Sequence, residues 1–552
     1  MKIEGMDNSH ITQKENKPCP VQTGQGLSIL YKERYLYSKY AADRSIKQII
    51  QNLTILDNTL ILLFSPCLWH GIIELLEKTK SHSNVRLVAI EDDAELFKLA
   101  SKELKAEWNI TLITSRELPS LFDKVYLYRR SLSVDMSGGT FFNSNQYEYD
   151  KIFAQNTIGQ FWKNRITLVK LGRLFSRNFL KNLKKVPANH SIGDFYKKID
   201  RPIVVFGAGQ GLEELLNSIR DENKDLNSIF AGVYIIAVDA ALSALKKHNI
   251  TPDFVVAVES QLASEKCYIG STDMESILLC DMTSRISLSK KIKSPCAFFT
   301  SEYDKTSFIS EAEHTGILPP FVPPLGSVGL TATFIALQMR SSDMYPVFVT
   351  GLDFSFTEGF THARGTPAHT TRLFKNTKFV PVQNYDAAYS TGARKVMGKT
   401  SPVVTDITLK NYADLFTQFF AGTKNLFDAG KSGLSLGIPL VSAQDFIECA
   451  MAFAKKLPPL SFIKNTEDKT PATQNFIQEH RENLLRIKEL LSKGQTASPA
   501  PSPDLQTEIK NRLEKCGYLY LHFPDGYVCK SDDLSFLKRV RSELDFFIKD
   551  LS

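Results

Sequence analysis

The 552-residue sequence has no CxxC pair, no unbroken apolar run of membrane-spanning length and little net charge, and each absence removes a class of function. Its eight cysteines, at 19, 67, 267, 280, 296, 449, 516 and 529, have no zinc-knuckle spacing, so they read as reduced, mostly buried thiols. The richest apolar stretch, Leu60 to Leu76, is broken by Ser65-Pro66 and His70. It falls short of the roughly 20 residues that a membrane span requires. Met1 to Gly26 is polar and lacks the apolar segment of a secretory signal, so a cytoplasmic location is expected. Lys plus Arg number 67 against 60 Asp plus Glu, and +7 over this length gives no case for nucleic acid as a partner. No internal repeat is visible.

What is present is an ordinary globular composition, with 43% hydrophobic and 23% charged residues. A chain of this length divides into about three or four compact units. The patterns predict an α/β protein. A smaller Rossmann-like domain with a basic connecting helix occupies residues 1–185, a central doubly wound Rossmann-like sheet 186–440, and a mainly helical region 441–552, with an exposed Ser/Pro/Ala linker at 494–504. In the first domain the predicted strand Thr59 to Phe64, helix Leu68 to Lys78 and strand Val85 to Ile90 form a β-α-β unit ending at Glu91. Its loop, Ser65 to Gly71, carries proline and tryptophan where a phosphate requires glycines, so the module reads as structural. Between Lys163 and Arg201 lie eleven Lys or Arg against Asp194 and Asp200, interleaved with apolar residues at helical spacing. Such a helix either rests on an anionic partner or presents a solvated basic face.

Three clusters in the central region carry chemistry. First, the strand 203–206 runs into Gly207-Ala208-Gly209-Gln210-Gly211 and then a helix. A glycine turn between strand and helix lets a phosphate approach the first helical N–H groups. Second, the strand 233–238 ends at Asp239 and the strand 254–258 at Glu259. These acids suit a shared metal, or a ribose and a base, and Asp239 also suits a helix N-cap. Third, Gly326-Ser327 precedes a helix over 328–339, and the strand ending at Thr350 leads into Gly351-Leu352-Asp353-Phe354 and Thr361-His362-Ala363-Arg364-Gly365. A histidine near neutrality takes a hydroxyl proton, a carboxylate orders it and a guanidinium steadies a departing phosphate. A loop histidine that only hydrogen-bonds backbone is the alternative for His362 and for His369.

With these motifs in order, the central region resembles the domain of motility-associated factor (Maf) flagellin glycosyltransferases, named also for its likeness to 6-hydroxymethylpterin diphosphokinase. The matching residues are Gly207-Ala208-Gly209, Asp239-Ala240-Ala241-Leu242, Pro252-Asp253-Phe254-Val255-Val256, Gly326-Ser327-Val328, Gly351-Leu352-Asp353-Phe354 and Thr361-His362-Ala363-Arg364-Gly365. The chain departs from the family at Gln210-Gly211-Leu212 in place of Pro-Ser-Leu, at Asp239-Ala240-Ala241 in place of Asp-Gly-Ala, and at Glu259 in place of aspartate. The Gly-Leu-Asp-Phe element is also similar to a motif of bacterial sialyltransferases, so the resemblance implies a sialyltransferase-like central sheet. It further implies transfer of a nonulosonic acid (pseudaminic, legionaminic or sialic-type) from its CMP-activated form to Ser or Thr of flagellin, with no permanent cofactor and no metal. Gly207, Gly209, Gly211, Asp239, Glu259, Gly326, Ser327 and Gly351 would hold the nucleotide-sugar, with Asp353, His362 and Arg364 as the catalytic group. The rival readings are a pterin pyrophosphokinase using ATP and magnesium at Asp239 and Glu259, and a non-catalytic flagellin-binding protein docking through its C-terminal helices.

Overall fold

The computed structural model describes residues 17–271, 273–291, 295–303, 306–381, 385–453, 468–496 and 503–552. Most of the expected linker, 497–502, lies outside them. The chain forms two compact units, residues 1–170 and 171–552, divided within the helix Ser144–Leu183.

The first unit opens with an antiparallel meander of β1 (Cys19–Gln22), β2 (Leu27–Tyr31) and β3 (Arg34–Tyr35). Four parallel strands follow: β4 (Thr59–Phe64), β5 (Arg86–Ile90), β6 (Thr111–Ile113) and β7 (Arg130–Asp135), in the order β6-β5-β4-β7. β4 is buried along its whole length because Leu60, Leu62 and Phe64 enter one core and Ile61 and Leu63 the other. The helix after β4 starts at Ile72 rather than Leu68, since Ser65, Cys67, Trp69 and Gly71 all take positive φ (50°, 43°, 57° and 77°) and wind the loop before a helix can begin. Glu91 is fully buried and held by Ser65 Oγ (2.6 Å), Tyr147 Oη (3.0 Å) and the Asp93 N–H (2.9 Å). Its carboxylate is thus hydrogen-bonded within the protein's own chain.

The second unit is built on a nine-stranded, all-parallel sheet. Its strands are β8 (His190–Ser191), β9 (Ile203–Phe206), β10 (Tyr234–Val238), β11 (Phe254–Ala257), β12 (Ile277–Asp281), β13 (Cys296–Ser301), β14 (Phe321–Val322) and β15 (Val347–Thr350). An antiparallel hairpin, β16 (Arg394–Met397) and β17 (Pro402–Thr405), precedes the ninth strand, β18 (Leu426–Asp428). The order is β14-β13-β12-β11-β10-β9-β15-β18, with β8 also pairing with β13. Alternation along β11 to β13 sends Phe254, Val256, Leu279, Ala297 and Phe299 to one core, and Val255, Ala257, Leu278, Cys280 and Phe298 to the other. Helices therefore cover both faces, and the doubly wound α/β class is as expected.

The helices Thr470–Thr496, Pro503–Lys515 and Leu534–Leu551 do not build a core of their own. Phe476, Leu484, Ile487, Leu513, Phe536, Val540, Leu544 and Phe547 pack into the same cluster as Val255, Leu278 and Phe298. Where the sequence suggests a boundary at 440/441, the sheet and these helices share one interior. The basic segment is corrected too. Arg173 pairs with Glu543 at 2.7 Å, Lys181 with Asp550 at 3.0 Å, and Arg177 Nη2 donates to Asp550 at 3.1 Å. Those three cations are partly exposed but are answered by the C-terminal helix, while Lys163, Lys170 and Lys184 are exposed. Tyr518 to Tyr527, which the sequence leaves open as a short aromatic strand or a loop, begins in the 3₁₀ turn Gly517–Leu519 and continues in turns.

Candidate functional site

After the short β8 beside β13, the chain crosses to the middle of the second unit's sheet at β9, walks outward through β10 to β14, and returns to lay β15 on the other side of β9. Connections from β9 and β15 leave in opposite directions, which opens a crevice beyond their carboxyl ends. Phe206 leads there into Gly207, and Thr350 into Gly351.

The two corners are hydrogen-bonded to each other. The Gly207 N–H donates to the Thr350 carbonyl (2.8 Å) and the Gly209 N–H to the Gly351 carbonyl (2.9 Å). The Gly211 N–H donates to Asp353 Oδ2 (3.0 Å), while Thr350 Oγ1 donates back to the Gly211 carbonyl (2.7 Å). A Cβ at 207 would lie 2.2 Å from the Gly351 oxygen, at 209 it would lie 2.4 Å from Asp353 Oδ2, and at 211 it would lie 2.7 Å from Asp353 Oδ1. The structural reason for these three glycines is therefore contact with the β15 corner, and the Gly207, Gly209 and Gly211 amides are committed within the protein. Gly351 has φ +69°, a conformation that favours glycine.

Asp353 is buried, and burial pushes its carboxyl up to about 7 against the opposing pull of the Gly211 N–H and Lys399. Nearby, Lys399 forms a buried ion pair with Asp428 at 2.8 Å and donates to the Gly430 carbonyl at 2.7 Å. Gly433 presses against Asp353, whose carbonyl accepts the Leu434 N–H at 2.9 Å. Sequence reasoning missed Lys399 and Asp428. The signal was present in Leu426-Phe427-Asp428, a short apolar run ending in an acid like those at Asp239 and Asp281.

His362 reaches the same rim because the Ala363 N–H donates to the Ala208 carbonyl at 2.8 Å. Its Nδ1 lies 3.1 Å from Thr361 Oγ1, so its hydrogen-bond partner is a hydroxyl and not the Asp353 carboxylate expected to orient it. Burial, then Arg372 and His369, hold its imidazole below the ordinary value and keep it neutral at neutral pH. Arg364 is largely exposed; its N–H donates to Glu213 and its guanidinium lies 3.8 Å from the same carboxylate. Gln210, Glu213, Phe360, His362 and Arg364 surround a small cavity of about 100 Å³. His369 is buried and stacks on Phe360 at 5.6 Å, caught inside its helix Pro367–Lys375.

Ser327 stands at the N-cap of the helix Val328–Met339, but its side chain accepts no capping hydrogen bond. Leu352 ties this helix start to the glycine corner, since a Cβ at Gly329 would lie 2.3 Å from Leu352 Cδ2 and one at Gly207 would lie 2.6 Å from it. Gly326 borders Tyr412 and has φ +71°. Asp239 opens a 3₁₀ turn, Asp239–Ala241, and its own Oδ1 accepts the Ala240 N–H at 2.8 Å. Burial pushes its carboxyl up to about 7, with Glu259 on the neighbouring strand adding to the shift. Glu259 is exposed and accepts the Gln261 N–H at 3.0 Å. No group of three or more His, Cys, Asp or Glu among the described residues is arranged to hold a metal ion. A larger cavity, about 400 Å³, lies between Ala240, the 3₁₀ segment Leu262–Tyr268 and the helix Pro367–Lys375.

A doubly wound sheet with glycine corners, strand-end acids and a histidine at its switch point defines a Rossmann-like α/β protein. Residues 177–359 match the model of the 6-hydroxymethylpterin diphosphokinase MptE-like family. An uncharacterized protein of Treponema pallidum (strain Nichols) is 31% identical over 561 residues, covering 97% of this chain and 95% of that one. The chain carries an MptE-like domain over those residues and belongs to one family with that relative along its length. Its fold is also that of the Maf glycosyltransferase from Magnetospirillum magneticum AMB-1, with TM-score 0.53, 13% identity, and coverage of 97% of this chain and 91% of the other. No helix of the described residues is long and apolar enough to cross a membrane.

Proposed function

We propose that this protein is a glycosyltransferase that moves a nonulosonic acid from its CMP-activated donor to Ser or Thr hydroxyls of flagellin. The fold shared with a Maf glycosyltransferase supports the class. The observation that carries the chemistry is the Ala363 to Ala208 hydrogen bond, which pins a neutral histidine against the glycine corner at the switch point. CMP departs with the electron pair of the anomeric C–O bond, leaving an oxocarbenium-like carbon. The acceptor hydroxyl attacks that carbon while His362 takes its proton. Asp353 acts as a positioning residue by fixing the Gly211 amide, and Arg364 with the start of the helix at 328 offsets charge on the departing phosphate. No permanent cofactor or metal enters this scheme.

The Asp239 and Glu259 pair favours one second reading, a pyrophosphokinase that holds ATP and magnesium there. Melting the protein with CMP, and separately with ATP plus magnesium, distinguishes the two, since only the ligand bound by the folded state raises Tm. Mass spectrometry of flagellin from cells with and without this chain then reports whether a glycan is added. A rise with ATP plus magnesium alone and an unchanged flagellin mass would overturn the transferase. Flagellin binding without any nucleotide effect would point to a non-catalytic partner.

A further inference from the structure

We infer that Lys266, Arg372 and Lys375 form an anion-binding subsite in the larger cavity, taking the acidic groups of the donor, its phosphate or its sugar carboxylate; the identity of that donor rests on the function proposed above. The cavity's volume of about 400 Å³ is within the range that small-molecule ligands occupy, about 300–1,000 Å³. One wall is a single helical face, because Ala368, Thr371, Arg372 and Lys375 follow the three- and four-residue spacing of neighbours on a helix. Opposite it lie Lys266 and the small side chains of Ala240 and Ala263. Small residues on that side leave room for a ligand between the cations.

Asp239 and Glu259 are the acids near this space, close enough to Cys267 to raise its thiol, but they form no ion pair with the three cations. None of the three cations forms an ion pair with a carboxylate among the described residues. In contrast, Arg177 and Lys181 are matched by Asp550, Lys399 by Asp428 and Arg364 by Glu213. Glu265 precedes Lys266 in sequence, yet its carboxylate is taken by Arg285, by Lys291 at 3.1 Å and by Ser287 Oγ at 2.6 Å. Cys267 contributes no counter-charge either, since burial pushes its thiol up to about 12. Three like charges around a concave surface repel one another and focus a positive potential into it, an arrangement suited to an anionic ligand. His362 lines the smaller cavity rather than this one, but the charge of Arg372 reaches it and helps to hold its imidazole down.

The test is isothermal titration of the full chain with CMP, cytidine, N-acetylneuraminate and inorganic pyrophosphate, comparing the wild type with Arg372→Gln and with Lys266→Gln/Lys375→Gln. These side chains are exposed or half-exposed, so the variants should melt as the wild type does. If the subsite holds the phosphate, CMP binding weakens at least about tenfold in the variants while cytidine binding is unchanged. If it holds the carboxylate, the same loss falls on N-acetylneuraminate and spares CMP. Equal affinity of wild type and variants for every anion would overturn the subsite, whether or not CMP binds. A wild type that binds pyrophosphate but neither CMP nor the sugar acid, with pyrophosphate binding lost in the variants, would keep the subsite and overturn the assigned donor.

Discussion

At the scale of single residues, Asp353 and His362 are the two groups to which the proposed mechanism gives separate roles, and their environments make separable predictions. Asp353 titrates about 7 in the folded chain against an ordinary 3.8. As pH rises between those values the unfolded chain releases its proton first, so this group lowers stability progressively across that window. Asp353→Asn removes the charge and keeps an oxygen for the Gly211 N–H. Its Tm should fall less than the wild type's between pH about 4 and 7, though Asp239 and Glu91, also near 7, keep some slope in both proteins. Parallel Tm curves would remove Asp353 as a source of that slope. Asp353→Ala instead leaves a buried N–H without its acceptor, at a cost of about 1–3 kcal/mol, so loss of transfer in that variant would mix chemistry with stability. His362→Ala is the better test of chemistry, because its ring is held by one hydroxyl contact. It should lower transfer about 10²- to 10⁴-fold with little change in Tm. In the wild type, protonation of His362 should switch off kcat/KM only below pH 6.5, since its surroundings favour the neutral ring. An acid limb above that value would contradict its role as the base.

At the scale of elements, much of the second unit is legible because its strands advertise themselves. Ile203 to Phe206 and Val347 to Thr350 are unbroken apolar or β-branched runs that stop at glycine, and both are strands at those positions. Leu534–Leu551 is likewise legible, since Asp533 caps it and Phe536, Val540, Leu544 and Phe547 recur at helical spacing. β14 and the β16–β17 hairpin were not foreseen, being short or largely exposed, with no apolar period to mark them. The site shows the same division. Sequence places a glycine turn after β9 and an acid after β15, but the contact between them joins residues far apart in the chain and has no local signature. A glycine turn reads as a phosphate loop when its true neighbour is out of view. If packing against Gly351 is why residue 207 is glycine, Gly207→Ala should destabilise the protein by about 1–3 kcal/mol. Gly392, whose Cβ would meet nothing within 4 Å, provides the control, with Gly392→Ala within about 0.5 kcal/mol of wild type in urea unfolding. Equal loss in both variants would show that contact with the Gly351 corner is not what costs stability at 207, because the lost glycine entropy by itself favours the folded state.

At the scale of the whole molecule, composition and pattern suggest three domains where packing makes two units. The patterns mark where helices replace strands after Ser442, but a change of element type is not a change of core. One face of β11 to β13 is covered by Phe179, Leu180 and Leu183 from the end of the long helix and by the C-terminal helices. Glu543 and Asp550 fasten that covering by pairing with Arg173, Arg177 and Lys181. Asp550 is itself buried, and these cations hold its carboxyl below the ordinary value against the effect of burial, so the clasp is present at neutral pH and is lost as pH falls through the depressed value. A fragment cut at residues 186–440 therefore exposes Val255, Leu278 and Phe298 to water, whereas a fragment of residues 171–552 keeps them covered. Exposed contiguous apolar surface of that kind drives association. The longer fragment should be soluble and unfold in one cooperative transition, and the shorter one should aggregate or bind a hydrophobic dye. A soluble, cooperatively melting 186–440 fragment would show that the central sheet closes its own core, and the C-terminal helices would then be a separate domain after all.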